Sequence, residues 1–301
     1  MNEVVLIDTI KVANTLGECI LWDEQSQSTW WTDIHESRLY RYTLTNKQLQ
    51  VYALPGRLCS FGFMEDDSRL ICAFAEGFAL YDPETGKREW LYQPEANYTG
   101  TRFNDGRVDR QGRFWSGTMV EDEVGHDTQG NPVKGSLYWL AGQAHGKTLT
   151  AIQTSNSLCW SIDGKTMFFA DSRTKEIRAY DFEPDGALMS NESVFVRTVP
   201  SCSPDGSIID AEGCLWNAHW GGSKVVRFSP QGEVMTEIDL PVSQPTCVCF
   251  GGPDLDLLFV STAREKLDTE TLTPQPQAGD VFVFRTPYRG LPENRYRPNQ
   301  Q

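Results

Sequence analysis

Short runs of aromatic and β-branched residues alternate with turns along most of the chain, and helical periodicity is nearly absent. One unit recurs in which a turn rich in Asp or Gly precedes an apolar run, and a second apolar run follows after another turn. The first halves of its six copies read DEQSQSTWWTDI, EDDSRLICAF, DRQGRFWSGT, SIDGKTMFFAD, DAEGCLWNAH and GPDLDLLFVST. This repetition predicts an all-β fold that is built from equivalent small sheets.

The spacing of the copies predicts the architecture. The apolar residues at equivalent places are Trp31, Ile71, Trp115, Phe169, Trp216 and Val260, with separations of 40, 44, 54, 47 and 44 residues. A period of about 40 to 50 residues is typical of a four-stranded propeller blade. We therefore predict a single six-bladed β-propeller domain over residues 1–301, with a polar, loosely held tail at about 290–301. The alternative is a β-sandwich, which gives no reason for six copies in one order.

Polar residues stand near the predicted start of the innermost strand of each copy. They are Glu18, Ser60, Asn104, Asn156, Asp205 and Thr246. Equivalent positions in a ring converge on its axis, so two carboxylates and two amides would meet there. Such oxygen donors favour a hard divalent cation such as Ca²⁺, Mg²⁺ or Mn²⁺. The alternative is that the Asn-Asp-Gly and Pro-Asp-Gly sequences simply form turns.

The charge balance restricts the class of partner. The chain has 27 Lys and Arg against 41 Asp and Glu, a net charge of −14, which disfavours binding to nucleic acid. No apolar run approaches the roughly 18 residues of a membrane span. The first residues lack the features of a secretion signal, so we expect a cytoplasmic protein without a membrane partner. The eight cysteines are scattered, and we expect them to be reduced and mostly buried.

Five successive motifs are similar to those of the SMP-30, gluconolactonase and luciferin-regenerating enzyme family. They are LGECILWD from Leu16, RFNDGRVD from Arg102 with GRFWSGTM, SNSL from Ser155, PDG from Pro204 with DAEG, and LPV from Leu240 with FGGPD. The resemblance spans about residues 14–265. It implies a six-bladed propeller that binds one divalent metal near its axis and hydrolyses lactones of sugar acids.

The resemblance also implies roles for individual residues. Those that match the metal ligands are Glu18, Asn156 and Asp205. Those that match substrate-binding residues are Arg102 and Asn104. A further substrate-binding acid follows the Gly-Thr-Met motif, and it is either Glu121 or Asp122. The chain departs from the family at Ser157, where glycine is usual, so the strand geometry beside Asn156 is open to question.

The expected reaction is metal-dependent hydrolysis of a sugar-acid lactone to the open-chain aldonic acid. The cation, which could be calcium, zinc, manganese or magnesium, would polarise the lactone carbonyl. Asp205 would act as the general base toward water, and Asn104 would help to stabilise the oxyanion. Arg102 would hydrogen-bond the sugar.

Two alternatives keep the same fold. One is a phosphotriester or aryl ester hydrolase with the same metal, and the other is a non-catalytic calcium-binding propeller. A serine hydrolase is not indicated, because the chain has no Gly-x-Ser-x-Gly motif. Among the histidines, His219 follows a predicted inner strand and is a candidate for substrate contact, whereas His35 is expected to be a solvated turn residue.

Overall fold

A computed structural model describes residues 3–121 and 124–298. Six four-stranded antiparallel sheets contain nearly all of the strands. The innermost strand of each sheet contacts the innermost strands of both neighbouring sheets, so the sheets form a closed ring. The predicted six-bladed β-propeller is therefore confirmed.

The chain begins with β1 (Val5–Ile10), and within blades 1 to 5 it then runs from the innermost strand outward. Blade 1 contains β2 (Gly17–Asp23), β3 (Ser28–Asp33), β4 (Arg38–Thr43) and β5 (Gln48–Ala53). Blade 2 contains β6 (Leu58–Phe63), β7 (Leu70–Phe74), β8 (Gly77–Tyr81) and β9 (Arg88–Tyr92). Blade 3 begins with β10 (Thr101–Val108) and β11 (Phe114–Val120). A hairpin of β12 (Gly125–His126) and β13 (Pro132–Val133) follows, and then the outer strands β14 (Leu137–Ala141) and β15 (Ala144–Lys147) complete blade 3.

Blade 4 contains β16 (Ser155–Trp160), β17 (Thr166–Asp171), β18 (Glu176–Glu183) and β19 (Leu188–Arg197). Blade 5 contains β20 (Ser203–Ile209), β21 (Leu215–Trp220), β22 (Lys224–Phe228) and β23 (Val234–Asp239). Blade 6 contains β24 (Pro245–Gly251), β25 (Leu257–Thr262), β26 (Val281–Arg285) and, as its outermost strand, β1. The helical segments are a 3₁₀ turn at Ser172–Thr174 and α1 at Thr269–Leu272. No helix among the described residues is both long and apolar enough to cross a membrane.

The six apolar residues that defined the repeat, from Trp31 to Val260, pack between neighbouring blades. All six lie on the second strand of their blade and are at most 3% exposed. Trp115 of blade 3 packs on Trp160 of blade 4 with ring centroids 5.8 Å apart, and Trp216 of blade 5 packs on Phe250 of blade 6 at 5.5 Å. Burial of both faces of each sheet explains why the apolar pattern recurs in every copy.

Every innermost strand is irregular near its beginning. The pairing register of the first two strands of each blade shifts between Glu18 and Leu21, Leu58 and Ser60, Phe103 and Gly106, Asn156 and Cys159, Pro204 and Ser207, and Pro245 and Cys247. A β-bulge turns the side chains beside it out of the regular alternation. The polar residues predicted to face the axis all lie at these bulges.

The carboxyl-terminal residues are held more firmly than expected. Tyr296 is 1% exposed, and its hydroxyl accepts a hydrogen bond from Gly142 N at 2.8 Å. Asn294 donates to Val108 O at 2.9 Å, and Arg297 N donates to Gly112 O at 2.9 Å. Polar side chains and backbone groups thus fasten residues 294–297 to blades 2 and 3, which the polarity of the tail did not indicate. All eight cysteines are free and buried, as expected.

Candidate active site

A cavity of about 520 Å³ opens where the innermost strands begin. Of the seven residues that the sequence predicted for the site, five line this cavity: Glu18, Arg102, Asn104, Asn156 and Asp205. They come from blades 1, 3, 4 and 5, and all of them except Arg102 lie at the bulges described above. Glu121 lies behind the wall, where it is hydrogen-bonded to Arg102, and Asp122 lies outside the described residues.

Two carboxylates of the cavity are strongly buried. Glu18 is 7% exposed and Asp205 is 4% exposed. Burial, together with repulsion from Asp105, raises the pKa of Glu18 to about 8. Burial and repulsion from Glu18 raise the pKa of Asp205 well above its usual range. In addition, Asp205 Oδ1 is fully buried and has no hydrogen-bond partner among the described residues. Both carboxyl groups can therefore be ionised together only beside a compensating positive charge.

The Asn156 amide has a defined orientation. Its Nδ2 donates to Ser172 Oγ at 2.8 Å, and the Ser172 hydroxyl donates onward to Pro204 O at 2.7 Å. Asn156 Oδ1 accepts from Asn104 Nδ2 at 3.1 Å. Because the Ser172 hydroxyl has already given its proton to Pro204, it can only accept from Asn156, so the amide oxygen must point the other way. Ser172 is a residue that the repeated pattern did not indicate, because Ile34 stands at the equivalent place of the connecting turn in blade 1.

Arg102 lies at the centre of a second network. It is 4% exposed, and it donates from Nε to Glu121 Oε1 at 3.0 Å and from Nη1 to Asn104 Oδ1 at 2.7 Å. Arg57 clamps the same Glu121 carboxylate through two hydrogen bonds of 2.6 and 2.9 Å. Although burial acts to raise it, the pKa of Glu121 is lowered by Arg57 and Arg102. Arg57 is a second residue that the sequence analysis missed, since it precedes β6 and stands outside the repeated pattern.

Ser157 takes up the position where the family usually has glycine. Its φ of 60° lies in the left-handed region that side chains rarely adopt. The hydroxyl donates to Asp205 O at 2.6 Å, and Asn217 Nδ2 donates to the same carbonyl at 2.8 Å. The added side chain thus joins blade 4 to the backbone of Asp205, and the strand geometry beside Asn156 accommodates it.

The two histidines behave differently from what the sequence suggested. His219 is 7% exposed, its Nδ1 lies 3.7 Å from Cys202 Sγ, and burial lowers its pKa to about 4. Trp220, and not His219, is among the described residues that line the cavity. His35 Nε2 lies 3.3 Å from Oε1 of Glu265, which lines the cavity, and this contact is the main reason that the pKa of Glu265 falls to about 2.

The donor set at the cavity wall fits one hard divalent cation. Glu18 and Asp205 supply carboxylate oxygens, and Asn156 supplies an oriented amide oxygen. The orphaned Asp205 Oδ1 and the repulsion between the carboxylates are both conditions that a cation would relieve. In residues 3–121 and 124–298, no three His, Cys, Asp or Glu side chains come together as a metal-binding group. A cation at the wall would therefore depend on the Asn156 amide as well as on the two acids.

Comparison with known proteins gives a consistent picture. A family profile described as "SMP-30/Gluconolactonase/LRE-like region" matches residues 16–264. The chain is 34% identical to an L-arabinolactonase of Azospirillum brasilense, over 94% of this chain and 92% of that protein. It is 32% identical to a 6-deoxy-6-sulfogluconolactonase of Pseudomonas putida, over 97% and 98% of the two chains.

A solved structure is also closely similar. The structure of the calcium-binding protein regucalcin from Agrobacterium tumefaciens superposes with a TM-score of 0.89 at 31% identity, covering 97% of this chain and 98% of the other. The profile match covers most of the chain, and the relatives align over nearly their whole lengths. The chain therefore belongs to the SMP-30/gluconolactonase/LRE-like family.

Proposed function

We propose that this protein hydrolyses the lactone of a sugar acid, with one divalent cation held by Glu18, Asn156 and Asp205. The observation that carries the proposal is the pair of buried carboxylates beside an oriented amide, on the same cavity wall as Arg102. Two relatives of nearly equal length are named as sugar lactonases, which supports the substrate class. When bound, the cation would supply a Lewis acid for the lactone carbonyl.

Asp205 is the residue best placed to take a proton. We propose that its Oδ1, which receives no hydrogen bond from the described residues, binds the cation, and that its other carboxylate oxygen accepts the proton of a water molecule that attacks the lactone carbonyl. The backbone carbonyl of Asp205 is fixed by Ser157 and Asn217, which holds the carboxylate in place. Asp205 is therefore proposed as both a metal ligand and the general base.

Arg102 and Asn104 have separate parts in this proposal. Both N–H donors of Asn104 are used, since Nδ2 donates to Ser155 O at 2.9 Å and to Asn156 Oδ1. Asn104 thus serves to orient Asn156 and Arg102, in place of the direct oxyanion contact that the sequence suggested. Arg102 uses Nε and Nη1 within the described part of the chain and lines the cavity, and we propose that its guanidinium also binds the carbonyl or hydroxyl oxygens of the substrate.

The test is a comparison of variants in a lactonase assay that detects acid release with a pH indicator. Asp205→Asn should lower kcat by about 10²- to 10⁴-fold, the usual contribution of a general base. The control is Asp163→Asn, which changes an exposed carboxylate in the turn between β16 and β17 and should leave kcat unchanged. EDTA should abolish turnover, and Ca²⁺, Zn²⁺, Mn²⁺ or Mg²⁺ should restore it.

Two results would contradict the proposal. An Asp205→Asn variant with the wild-type rate would exclude Asp205 as the base. A folded wild-type protein that binds one calcium ion but hydrolyses neither lactones nor aryl esters would favour the non-catalytic calcium-binding alternative. Hydrolysis of aryl esters or phosphotriesters without any lactone turnover would favour the other alternative on this fold.

A further inference from the structure

The turn between β17 and β18 places two cations at the cavity. Arg173 and Lys175 both line it, and Ser172, from the same turn, holds Asn156. Neither cation forms an ion pair with a carboxylate in the described part of the chain. The adjacent Glu176 is already engaged by Arg178 at 3.1 Å and Arg197 at 2.9 Å. Two positive charges thus face the cavity without an acidic partner.

Lys175 is anchored to blade 5 at the edge of the cavity. Its backbone adopts a φ of 62° at the end of the 3₁₀ turn, and its Nζ donates to Ser203 Oγ at 2.6 Å. Ser203 stands two residues before Asp205 on β20. An ammonium group has three N–H donors, so the bond to Ser203 leaves two of them for a ligand. The contact fixes the position of the charge without neutralising it.

The charges around the cavity leave a positive excess once a cation is bound. The acidic side chains lining it are Glu18, Asp205 and Glu265, and the basic ones are Arg102, Arg173, Lys175 and Lys266. Glu18 and Asp205 would be balanced by a divalent cation, and Glu265 is paired with His35 and with Lys266 at 3.3 Å. The cavity therefore attracts anions, although the whole chain has a net charge of −14.

We propose that Arg173 and Lys175 bind an anionic substituent of the substrate, at a position remote from the ester that is hydrolysed. The substrate class is a sugar lactone that carries a carboxylate, sulfonate or phosphate group. This inference rests on the proposed function, because the lactone ring must occupy the same cavity. A volume of about 520 Å³ is within the range of ligand pockets that hold a ring with a further substituent.

The test compares one neutral lactone with anionic lactones of similar size. The neutral substrate is glucono-1,5-lactone, and the anionic ones are the lactones of 6-phosphogluconic, 6-deoxy-6-sulfogluconic and glucaric acids. The wild-type kcat/KM should be higher for at least one anionic lactone by about tenfold or more, and added salt should reduce this preference. We call the part of the cavity edge formed by Arg173 and Lys175 the rim. The anionic lactone with the highest ratio of kcat/KM to that of the neutral lactone identifies the group that the rim binds.

Variants of Arg173 and Lys175 test whether these two residues cause the preference for anionic lactones. Lys175→Gln and Arg173→Gln should each lower the ratio of anionic to neutral kcat/KM by about tenfold, whereas Lys175→Arg should keep most of it because the charge remains. Lys165→Gln is the control, since Lys165 is an exposed lysine in the turn that joins the far end of β16 to β17. It should not change the ratio.

The inference and the proposed function can fail separately. If the wild type hydrolyses lactones but shows no anionic preference, or if Lys175→Gln keeps the wild-type ratio, the rim has no such role and the proposed function stands. If the wild type hydrolyses no lactone, the proposed function fails. Calorimetric binding of 6-phosphogluconate to the wild type and to Lys175→Gln then still decides the inference, and equal affinities would overturn it.

Discussion

Replacement of Ser172 by alanine should weaken metal binding although the residue is not a candidate ligand. The Ser172 hydroxyl is 2.8 Å from Asn156 Nδ2 and 2.7 Å from Pro204 O, so it joins a candidate ligand in blade 4 to the strand that carries Asp205. Without the hydroxyl, the Asn156 amide keeps only the hydrogen bond that its Oδ1 accepts from Asn104 Nδ2, so it is held from one side and its orientation is less restricted. The expected defect therefore lies in the geometry of the site, while its donor atoms all remain.

The structure allows two magnitudes to be estimated. The variant loses two buried hydrogen bonds and removes the partner that Asn156 Nδ2 has here, which should cost about 1–3 kcal/mol in the free energy of unfolding. Removing a residue that orients a metal ligand typically lowers metal affinity by about 10- to 100-fold. That range is equivalent to about 1.4–2.7 kcal/mol of binding free energy.

The assay is titration calorimetry with Ca²⁺ and Mn²⁺, together with thermal unfolding in the presence and absence of metal. Ser155→Ala is the matched control, because Ser155 precedes Asn156, is 0% exposed, and has no hydrogen-bond partner for its hydroxyl among the residues described. The control should retain wild-type metal affinity. If Ser172→Ala were destabilised but bound both metals as tightly as the wild type does, the positioning role would be refuted.

Two further predictions concern residues around the site. Arg57→Ala removes two hydrogen bonds to Glu121 and so loosens Arg102. Steady-state kinetics should therefore show the KM for the lactone raised by about tenfold, while the metal affinity measured by calorimetry stays unchanged. An unchanged KM would contradict this prediction. Burial lowers the pKa of His219 to about 4, so the unfolded chain, with a histidine pKa near 6.5, binds the proton more readily. The free energy of unfolding should therefore fall as the pH drops from about 6.5 toward 4, by up to about 3 kcal/mol from this residue alone. Urea denaturation of His219→Gln at pH 7 and pH 4.5 should show a smaller loss than in the wild type, and equal losses would contradict this explanation.

The sequence was informative where the fold repeats itself. Six copies of one strand pattern predicted six blades, and because equivalent positions in a ring share an axis, the same pattern brought Glu18, Asn156 and Asp205 together. Ser172 and Lys175 could not be found in this way, because the connection between the second and third strands carries different side chains in each blade, with Ile34 and Ser37 at the equivalent places in blade 1. Arg57 is a similar case, because its importance depends on a carboxylate that lies 64 residues away in the chain.

The order of the strands has a further consequence for the whole molecule. The ring closes only when β1 adds to β26, and the candidate ligands lie on blades 1, 4 and 5, so they come together only after residues from both ends of the chain have met. An unfolded or open chain has no comparable cation site, so the cation that we propose would stabilise only the closed ring. At a free metal concentration of 100 times the dissociation constant, this linkage would amount to about 2.7 kcal/mol. The proposed site would thus make the free energy of unfolding depend on the metal content of the surroundings.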